Sequence, residues 1–397
     1  MNWNKEQLEV IKGATKHVLH QNSNQVYQFS GAAGTGKTEV MKEIIRQIGI
    51  PMNRIACMAY IGQAANVLRS RGLSNARTAH SWLYTLMEVP LLDNNGNQVI
   101  DPVFNKPKMI TKFVPRDLSH IDYIVIDEGY TFPKRMLNDV LKTGKPIIVA
   151  GDVNQLPPVM DEPAFLVDGE IHYLKQIMRQ SSSSDIPYIA DRILQEKPIH
   201  TGLYRGVLVI EERDLNNTLI KNSNIIICGK NKTREYYNSY IRQNILGNKT
   251  RLPLFGEKII CRKNNWTLEE DGISLTNGLI GQVVKPPDVE SFNGREFFID
   301  FKPDLNTMVF KNLGCDYNYF ISDTNTRNEI KRSPYSVGEK FEFAYTITTH
   351  LSQGAQYPSG IYIKEYLSRD IQKNLDYTGV TRFKKFLVYV VPNKKYF

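Results

Sequence analysis

The feature that most constrains the fold of this 397-residue chain is a glycine-rich loop between a predicted strand and a predicted helix. Its residues, which fit the pattern GxxxxGK[ST], are Gly31, Ala32, Ala33, Gly34, Thr35, Gly36, Lys37 and Thr38. Glycines allow backbone N–H groups to curl around phosphate oxygens, and the positive end of the following helix points at the same place. In such a loop the Lys37 ammonium reaches the β- and γ-phosphates of a nucleotide, and the Thr38 hydroxyl ligates Mg²⁺. The segment therefore predicts a nucleotide-binding α/β domain.

Apolar segments around this loop alternate between strand and helix patterns. Short buried strands are expected at 26–30, 54–59, 121–126 and 146–150. The segment 37–48 has helical spacing, ends before Gly49 and presents one apolar face, which consists of Val40, Met41, Ile44, Ile45 and Ile48. Strands separated by helices imply crossover connections, and these predict a parallel sheet.

Two further polar motifs directly follow predicted strands. Asp127 and Glu128 follow an apolar run, and Gln155 lies in the segment 151–159, which reads GDVNQLPPV. The carboxyl ends of parallel strands meet at one edge of a sheet, where α/β proteins bind ligands. We expect Asp127 to hold Mg²⁺ directly or through water and Glu128 to orient and deprotonate an attacking water. Gln155 is expected to hydrogen-bond the γ-phosphate.

Taken together, these motifs resemble the motor of superfamily 1 helicases, and most of all its RecD-like and phage Dda branch. Shorter matches to that family occur in family order along nearly the whole chain. They are Gln7, GQAA at 62–65, TAHS at 78–81, LKQIMRQ at 174–180, NGLIG at 277–281, THLSQG at 349–354 and YTGVTR at 377–382. The resemblance implies an α/β fold with two RecA-like, parallel-sheet P-loop domains.

The expected domain boundaries follow from this resemblance and from changes in the sequence pattern. The first RecA-like domain is predicted at 1–85 and 116–190, and the second at 191–252 and 341–397. A hairpin insertion is predicted at 86–115, which is rich in proline and contains a turn signal at 93–97. A small SH3-like β-barrel insertion is predicted at 253–340, with short strands at 257–262, 281–285, 296–301 and 307–310.

The resemblance also implies roles for individual residues. Gln7 reads adenine, and the glycine-rich loop binds the phosphates of ATP. Arg179 and Arg382 approach the nucleotide from opposite sides and stabilise charge during phosphoryl transfer. The implied DNA contacts are Gln63, Thr78, His80, Asn277, Thr349 and His350.

The expected function is that of an ATP- and Mg²⁺-dependent DNA helicase. The resemblance implies 5′-to-3′ translocation on single-stranded DNA and unwinding of forked duplex DNA. The apolar residues near the hairpin tip are predicted to separate the strands: Leu91, Leu92, Val99, Ile100 and Phe104. The alternative is that these side chains only pack the insertion onto its own domain.

Several other functions remain open at this point. One is a nucleic-acid-stimulated ATPase that translocates and remodels protein–DNA complexes without processive unwinding. Another is a binding module that uses the nucleotide as a switch, and a third is a P-loop kinase or other small-molecule transferase. The resemblance leaves open replication, repair or recombination as the pathway, and RNA as a track. Single-strand-binding protein or replisome components are candidate partners.

Composition sets broader limits. The net charge is +9, and the segment 221–263 alone contributes 10 − 2 = +8, which fits either a solvated helix face or a surface that follows phosphates. Four cysteines without a CxxC pair predict neither a zinc site nor a disulfide framework, and favour a reducing compartment. There is no apolar run of about 18 residues and no signal peptide pattern. We therefore expect a cytoplasmic monomer (in the host cytoplasm if phage-encoded) without membrane contact.

Overall fold

The computed structural model describes residues 3–393 except 21–24, 94, 102–105, 159–160, 166–169, 177–183, 272, 289–291 and 334–335. Within these ranges, no helix has the length and apolar character needed to cross a membrane. The four cysteines are buried and unpaired.

The strands of the first half are, in chain order, β1 (Val26–Gly31), β2 (Ile55–Ala59), β3 (Arg77–Thr78), β4 (Tyr84–Pro90), β5 (Ile100–Asp101), β6 (Lys106–Pro107), β7 (Met109–Pro115), β8 (Tyr123–Asp127), β9 (Ile147–Gly151) and β10 (Ile171–Leu174). Those of the second half are β11 (Gly202–Tyr204), β12 (Val207–Glu211), β13 (Ile226–Cys228), β14 (Lys258–Cys261), β15 (Asn265–Glu270), β16 (Ile273–Leu275), β17 (Ile280–Lys285), β18 (Glu296–Pro303), β19 (Phe310–Asp316), β20 (Phe341–Phe343), β21 (Thr346–Thr348), β22 (Tyr357–Ile363) and β23 (Phe383–Val391). The α-helices are α1 (Lys5–Leu19), α2 (Lys37–Ile48), α3 (Gly62–Ser70), α4 (Ala79–Leu83), α5 (Lys134–Leu141), α6 (Ile186–Leu194), α7 (Asn217–Lys221), α8 (Asn231–Tyr240), α9 (Tyr317–Ile321), α10 (Thr324–Arg332) and α11 (Arg369–Val380).

The first sheet carries the glycine-rich loop at the carboxyl end of β1. Among the described residues its strand order is β10-β1-β9-β8-β2-β3, and every neighbouring pair is parallel. Helices cover both faces, because the strands are apolar on both sides and must be buried on both sides. The prediction of an α/β fold built on a parallel P-loop sheet is confirmed.

Helix α2 shows how the sequence fixes the loop that precedes it. Gly36, which directly precedes the helix, has a φ of 87°, and Gly49, which follows it, has a φ of 74°; both values favour glycine. The Gly49 N–H donates to the carbonyl oxygen of Ile45 and closes the last turn. The predicted apolar face is buried against the sheet, so the helix lies with its first turn at the end of β1.

The predicted hairpin insertion is a long two-stranded ribbon. Strands β4 and β7 pair antiparallel from Tyr84 opposite Pro115 to Pro90 opposite Met109, so the ribbon starts at 84 rather than 86. Beyond it, the Asp93 carboxylate accepts hydrogen bonds from the backbone of Asn95 and Asn97, and Gly96 has a φ of 84°. The predicted turn is therefore present, followed by the short β5–β6 pair.

The second sheet repeats the parallel architecture. Its order in the described residues is β11-β12-β23-β22-β13-β21, with only the outer β11–β12 pair antiparallel. Apolar side chains of β12, β13, β22 and β23 form its two cores together with α6 and α11 on one face and the end of α8 on the other.

The third sheet is small and antiparallel, in the order β19-β18-β17-β14-β20. An isolated bridge between Cys315 and Glu339 brings its two outer strands together at one end, so the sheet is partly closed; the SH3-like classification stays a prediction. The strand predicted at 307–310 was misplaced, because it begins at Phe310 and runs to Asp316. Strand β20 pairs with β14, so this sheet continues past the predicted boundary at 340.

Part of the basic segment 221–263 points into the protein, so neither a solvated helix face nor a surface that follows phosphates accounts for all of its cations. Arg234 and Arg262 contact the carboxylate of Glu342 at 2.6 and 3.0 Å, and Arg327 contacts it at 3.2 Å. Arg242 pairs with a buried glutamate, Glu257, at 2.8 Å. Buried guanidinium groups require such partners because an unpaired charge is costly away from water. The exposed cations that remain are Lys221, Lys230, Lys232, Lys249, Arg251 and Lys263.

Replacing Glu342 is expected to destabilise the fold strongly. Burial opposes ionisation of this carboxyl, but the charges of Arg262, Arg327 and Arg234 outweigh it and lower its pKa to about 2. Glu342→Gln leaves three guanidinium groups without their shared carboxylate and should cost about 3–5 kcal/mol in urea unfolding near neutral pH.

The pH dependence follows from the sign of the shift. Because the pKa of Glu342 in the folded protein lies below the unfolded value of 4.5, its contribution to the free energy of unfolding is complete above about pH 4.5 and is lost as the pH falls toward 2. The difference in unfolding free energy between wild type and Glu342→Gln should therefore shrink near pH 3. Glu162→Gln, which breaks an exposed pair with Lys134, is the control and should cost no more than about 1 kcal/mol. Equal losses in both variants would contradict this account.

Candidate nucleotide-binding site

A cavity of about 520 Å³ lies where the first and second sheets meet. The first sheet supplies most of the predicted catalytic side chains: Lys37, Thr38, Asp127, Glu128 and Gln155. The second sheet supplies Arg382, Gly354 and Gln356 from the opposite wall. Residues far apart in sequence thus share one cleft, at the carboxyl ends of the central strands of the first sheet.

The glycine-rich loop forms the floor of this cleft. Gly34 has a φ of 95°, which opens the loop ahead of α2. The Lys37 ammonium donates to the backbone oxygens of Gly31 at 2.6 Å and Ala32 at 3.3 Å, so it is held within the loop. A cation and the amino end of a helix thus converge at one point, which suits a phosphate group.

Asp127 and Glu128 follow β8 at the edge of the same cleft. Burial, together with the neighbouring Glu128 carboxylate, raises the pKa of Asp127 to about 6, against the opposing effect of Lys37. Glu128 has a φ of 54°, a strained conformation for a non-glycine residue and one that recurs at functional sites. Two adjacent carboxylates beside a hydroxyl form an oxygen-rich group of the kind that Mg²⁺ prefers.

Gln155 and Arg382 are two buried polar residues that line the cleft. Gln155 is 2% exposed, and its Oε1 has no hydrogen-bond partner in the described structure. Arg382 is also 2% exposed and donates to acceptors on its own side of the cleft, the backbone oxygens of Thr378 and Ala355. Within the described ranges no carboxylate pairs with it. A buried guanidinium without a carboxylate suits a site that receives an anion.

Gln7 lines the cleft, and its side chain already has partners. It completes a capping box with Asn4 at the start of α1 and donates to the Thr35 backbone oxygen at 3.0 Å. Its role as the adenine contact stays a prediction. The other predicted residue, Arg179, lies outside the described residues.

Sequence reasoning missed Arg71, which sits at the end of α3. Its guanidinium donates to the Thr38 hydroxyl at 2.7 Å and to Gln356 at 2.8 Å, so it bridges the predicted metal ligand and the second sheet. No motif marks this residue, because its importance comes from the position of the α3 carboxyl end above the glycine-rich loop. Trp3 also lines the cleft and was not predicted.

The two walls of the cleft are joined by buried hydrogen bonds. The Tyr377 hydroxyl donates to Asp152 at 2.7 Å, and the backbone N–H of Leu156 donates to Thr378 at 2.9 Å. Gln353 and Asn374 donate to backbone oxygens of the same segment, those of Leu156 and Asn154. Hydrogen bonds from α11 and from the segment before β22 therefore hold the loop that carries Gln155.

The six predicted DNA contacts do not form one open surface. Gln63, Thr78 and Thr349 are buried, and the two threonine hydroxyls are engaged by Ser81 and by the Cys228 backbone oxygen. His80 and His350 are half-buried, and burial lowers the pKa of each, so both favour the neutral form. Asn277 is exposed. The buried hydroxyls would need to be released before they could touch a strand.

Several solved structures of Pif1 helicases have a similar fold. A structure of two coordinating Pif1 helicases at forked double-stranded DNA has a TM-score of 0.57 at 17% identity, covering 98% of this chain and 92% of that chain. Bacteroides Pif1 with ADP-AlF3 and single-stranded DNA has a TM-score of 0.54 at 16% identity, with the same coverage. Candida albicans Pif1 has a TM-score of 0.51 at 15% identity, covering 99% and 96%. These likenesses confirm the fold that the resemblance to superfamily 1 helicases predicted, while the Dda branch in particular stays a prediction.

Two comparisons at the sequence level add to this. An uncharacterized protein of Methanocaldococcus jannaschii is 24% identical over 98% of this chain, which spans about two fifths (38%) of that relative's length. The family described as AAA domain matches residues 2–204, just over half of the chain. The matched region contains the glycine-rich loop, Asp127, Glu128 and Gln155. The chain therefore belongs to the AAA domain family and has the fold of the Pif1 helicases.

Proposed function

We propose that this protein is an ATP-hydrolysing DNA helicase that moves along single-stranded DNA and separates forked duplexes. The observation that carries the proposal is the shared cleft, in which Arg382 of the second sheet faces Lys37 and Glu128 of the first. A cleft that needs both walls can respond to hydrolysis by moving one wall against the other, which is what a translocating motor requires.

The residues of the cleft fit ATP with Mg²⁺. The backbone of 31–36 and the Lys37 ammonium would hold the phosphates, and Thr38 and Asp127 would hold the metal. Mg²⁺ would supply charge neutralisation at the phosphate oxygens. The hydrogen bond from Arg71 to Thr38 must be exchanged for this to happen, so Arg71 would turn toward the phosphates or toward Gln356.

Individual side chains of the cleft would have different roles in hydrolysis. Glu128 would take the proton of an attacking water, and the unpartnered Oε1 of Gln155 would accept a hydrogen bond from the same water. Arg382 would stabilise the charge that develops on the phosphate oxygens. Arg179 is proposed for the same role on the strength of the motif alone.

The contacts between α11 and the segment 152–156 support a coupling of this chemistry to movement. Tyr377 and Asn374 hold that segment from the second sheet, next to Gln155. A change at the phosphates that shifts Gln155 would therefore reach α11 directly. We propose that alternate closing and opening of the cleft moves two strand grips relative to each other, with 5′-to-3′ direction taken from the resemblance to the RecD-like branch.

DNA is proposed as the track because Pif1 relatives of the same fold are described with single-stranded and forked DNA. The proposed contacts are Asn277, His80 and His350, with Gln63, Thr78 and Thr349 as inner positions. His80 stacks on Trp266 of β15 with ring centroids 5.5 Å apart, so an aromatic surface joins the ribbon base to the two-stranded β15–β16 pair. Stacking on aromatic rings is a sequence-tolerant way to hold bases.

The ribbon is the proposed strand-separating element. Leu92 is 50% exposed and Ile100 is 46% exposed, while Leu91 and Val99 are half-buried; Phe104 lies outside the described residues. Exposed apolar side chains at a ribbon end are a cost unless something covers them. Unstacked bases at a fork would do so, and this favours unwinding over remodelling without unwinding.

The role of Glu128 can be tested by Glu128→Gln. The amide keeps the shape but loses the basic oxygen, so this variant should bind Mg-ATP and hydrolyse it at least ~100-fold more slowly in steady-state assays. Lys37→Ala should abolish hydrolysis by a different route, through weaker phosphate binding, with an unchanged circular dichroism spectrum. Glu43→Gln, on an exposed pair of α2, is the matched carboxylate control and should behave as wild type. Loss of nucleotide binding in Glu128→Gln would instead make Glu128 a metal ligand or a structural residue.

The ribbon is tested by replacing 91–101 with a short Gly/Ser linker. DNA-stimulated ATP hydrolysis and single-strand translocation should persist, whereas duplex unwinding should collapse. A finer variant, Leu92→Ser with Ile100→Ser, should reduce unwinding while Gln98→Ser, an exposed polar neighbour, should not. Equal loss of all three activities would assign the ribbon a purely structural role, and intact unwinding would place strand separation elsewhere.

A further inference from the structure

A second cavity of about 590 Å³ lies between α8 and the small antiparallel sheet. It shares no lining residue with the nucleotide cleft. Its charged lining residues are Arg234, Arg242, Lys249, Arg251, Arg327, Glu235, Asp323 and Glu342. Part of the basic segment 221–263 thus gathers around one enclosed space rather than along a flat surface.

The charges at the base of this cavity do not balance. Three guanidinium groups share the single carboxylate of Glu342: those of Arg234 and Arg327, which line the cavity, and that of Arg262, which lies outside its lining. The same carboxylate also accepts a hydrogen bond from the Tyr319 hydroxyl. Glu235 is 3.7 and 3.8 Å from two of these guanidinium groups and is 31% exposed, so it compensates them only weakly. A positive charge remains in excess in a place largely shielded from water.

Arg234 has a hydrogen-bond donor that no acceptor satisfies. It is 2% exposed, its Nη1 contacts Glu342, and its Nη2 donates to the Thr324 hydroxyl at 3.1 Å. Its Nε has no hydrogen-bond partner in the described structure. Burial lowers the pKa of Arg234, and the nearby Arg262 and Arg327 add to this effect against the pull of Glu342. A buried donor without an acceptor is unfavourable unless a ligand supplies one.

The guanidinium group of Arg242, which lines the same cavity, has several hydrogen-bond acceptors. It forms two hydrogen bonds to Glu257, donates to the backbone oxygens of Thr250 and Leu252, and lies 3.9 Å from the ring centre of Phe343. At the rim, Lys249 and Arg251 are exposed, and within the described ranges neither has a carboxylate partner. The unbalanced positive charge therefore belongs to Arg234 at the base and to these two residues at the rim.

We propose that this cavity is a phosphate-binding site, with Arg234 at its base and Lys249 and Arg251 at its rim. A phosphate offers several oxygen acceptors around one centre, and it can take donors from more than one guanidinium at once. Two sources share this chemistry: an internal phosphodiester of a nucleic-acid strand, and a small phosphorylated molecule. A strand source would add a grip on the second sheet, outside the predicted DNA contacts.

The first test is calorimetric titration of the whole chain with inorganic phosphate. The double variant Lys249→Ala with Arg251→Ala should bind phosphate at least about tenfold more weakly. Lys221→Ala with Lys232→Ala removes two exposed cations outside the cavity and should leave the affinity unchanged. Arg234→Lys keeps the charge, loses the guanidinium fork and should also weaken binding, with the melting temperature measured to verify folding.

The glycine-rich loop is a second place where phosphate could bind, and Lys37→Ala separates the two. Retained binding in Lys37→Ala together with loss in the rim variant supports the cavity. The reverse pattern, or wild-type affinity in both the rim variant and Arg234→Lys, overturns the proposal, as does an absence of phosphate binding in the wild-type chain. None of these outcomes depends on ATP hydrolysis, so the result is independent of the proposed helicase function.

The second test identifies the source. Binding of an oligothymidylate is measured as a function of salt in wild type and in the rim variant. Loss of two phosphate contacts should lower the slope of log affinity against log salt by about 1.4. A lowered slope supports a nucleic-acid phosphodiester, whereas an unchanged slope with lost phosphate binding supports a small phosphorylated molecule. An unchanged slope with unchanged phosphate binding contradicts the site altogether.

Discussion

The hydrogen bond from Tyr377 to Asp152 joins the two parallel sheets at the point on which the nucleotide cleft depends. Asp152 directly follows β9 of the first sheet, and Tyr377 lies near the end of α11 beside the second. Both are almost fully buried, at 1% exposure each, and burial raises the pKa of both groups. A carboxylate in such a place needs donors, and it receives them from Tyr377 and from the Asn154 backbone. Together with the hydrogen bonds that Thr378, Gln353 and Asn374 make to the segment 154–156, this junction holds the second sheet against the cleft.

A second constraint is the close approach of three parts of the chain at the start of α3. A Cβ on Gly62 would lie 2.0 Å from the Thr276 hydroxyl of the small-sheet region, and one on Gly354 would lie 2.6 Å from Ala64. The first sheet, the second sheet and the small sheet therefore meet where Gln63 is buried. Movement of the second sheet cannot leave this contact unchanged, which gives a physical route from the cleft to the proposed DNA contacts.

The sequence predicted those parts of the structure that depend on residues close together in the chain. Helix α2 and the loop before it follow from glycines at fixed offsets and an apolar face, and the Asp93 turn follows from side-chain hydrogen bonds within five residues. Lys37, Asp127, Glu128 and Gln155 meet in one cleft because the parallel strands of the first sheet bring their carboxyl ends together. Arg382 directly precedes β23 of the second sheet, and its place in the cleft was expected only from the resemblance. Arg71 and the Tyr377–Asp152 contact could not be predicted, since each joins segments separated by many residues and no motif records the pairing. The burial of the arginines could not be predicted either, because composition alone cannot distinguish an exposed cation from one that pairs with Glu342.

Strand separation driven by ATP hydrolysis in the cleft is tested most directly by the unwinding of forked substrates. Duplexes with a 5′ tail and with a 3′ tail should be offered to the chain with Mg-ATP, alongside ATP hydrolysis with and without single-stranded DNA. The account predicts ATP-dependent displacement from the 5′-tailed duplex, little from the 3′-tailed duplex, and hydrolysis that single-stranded DNA accelerates. Hydrolysis that ignores DNA, with no displacement from either duplex, would contradict it.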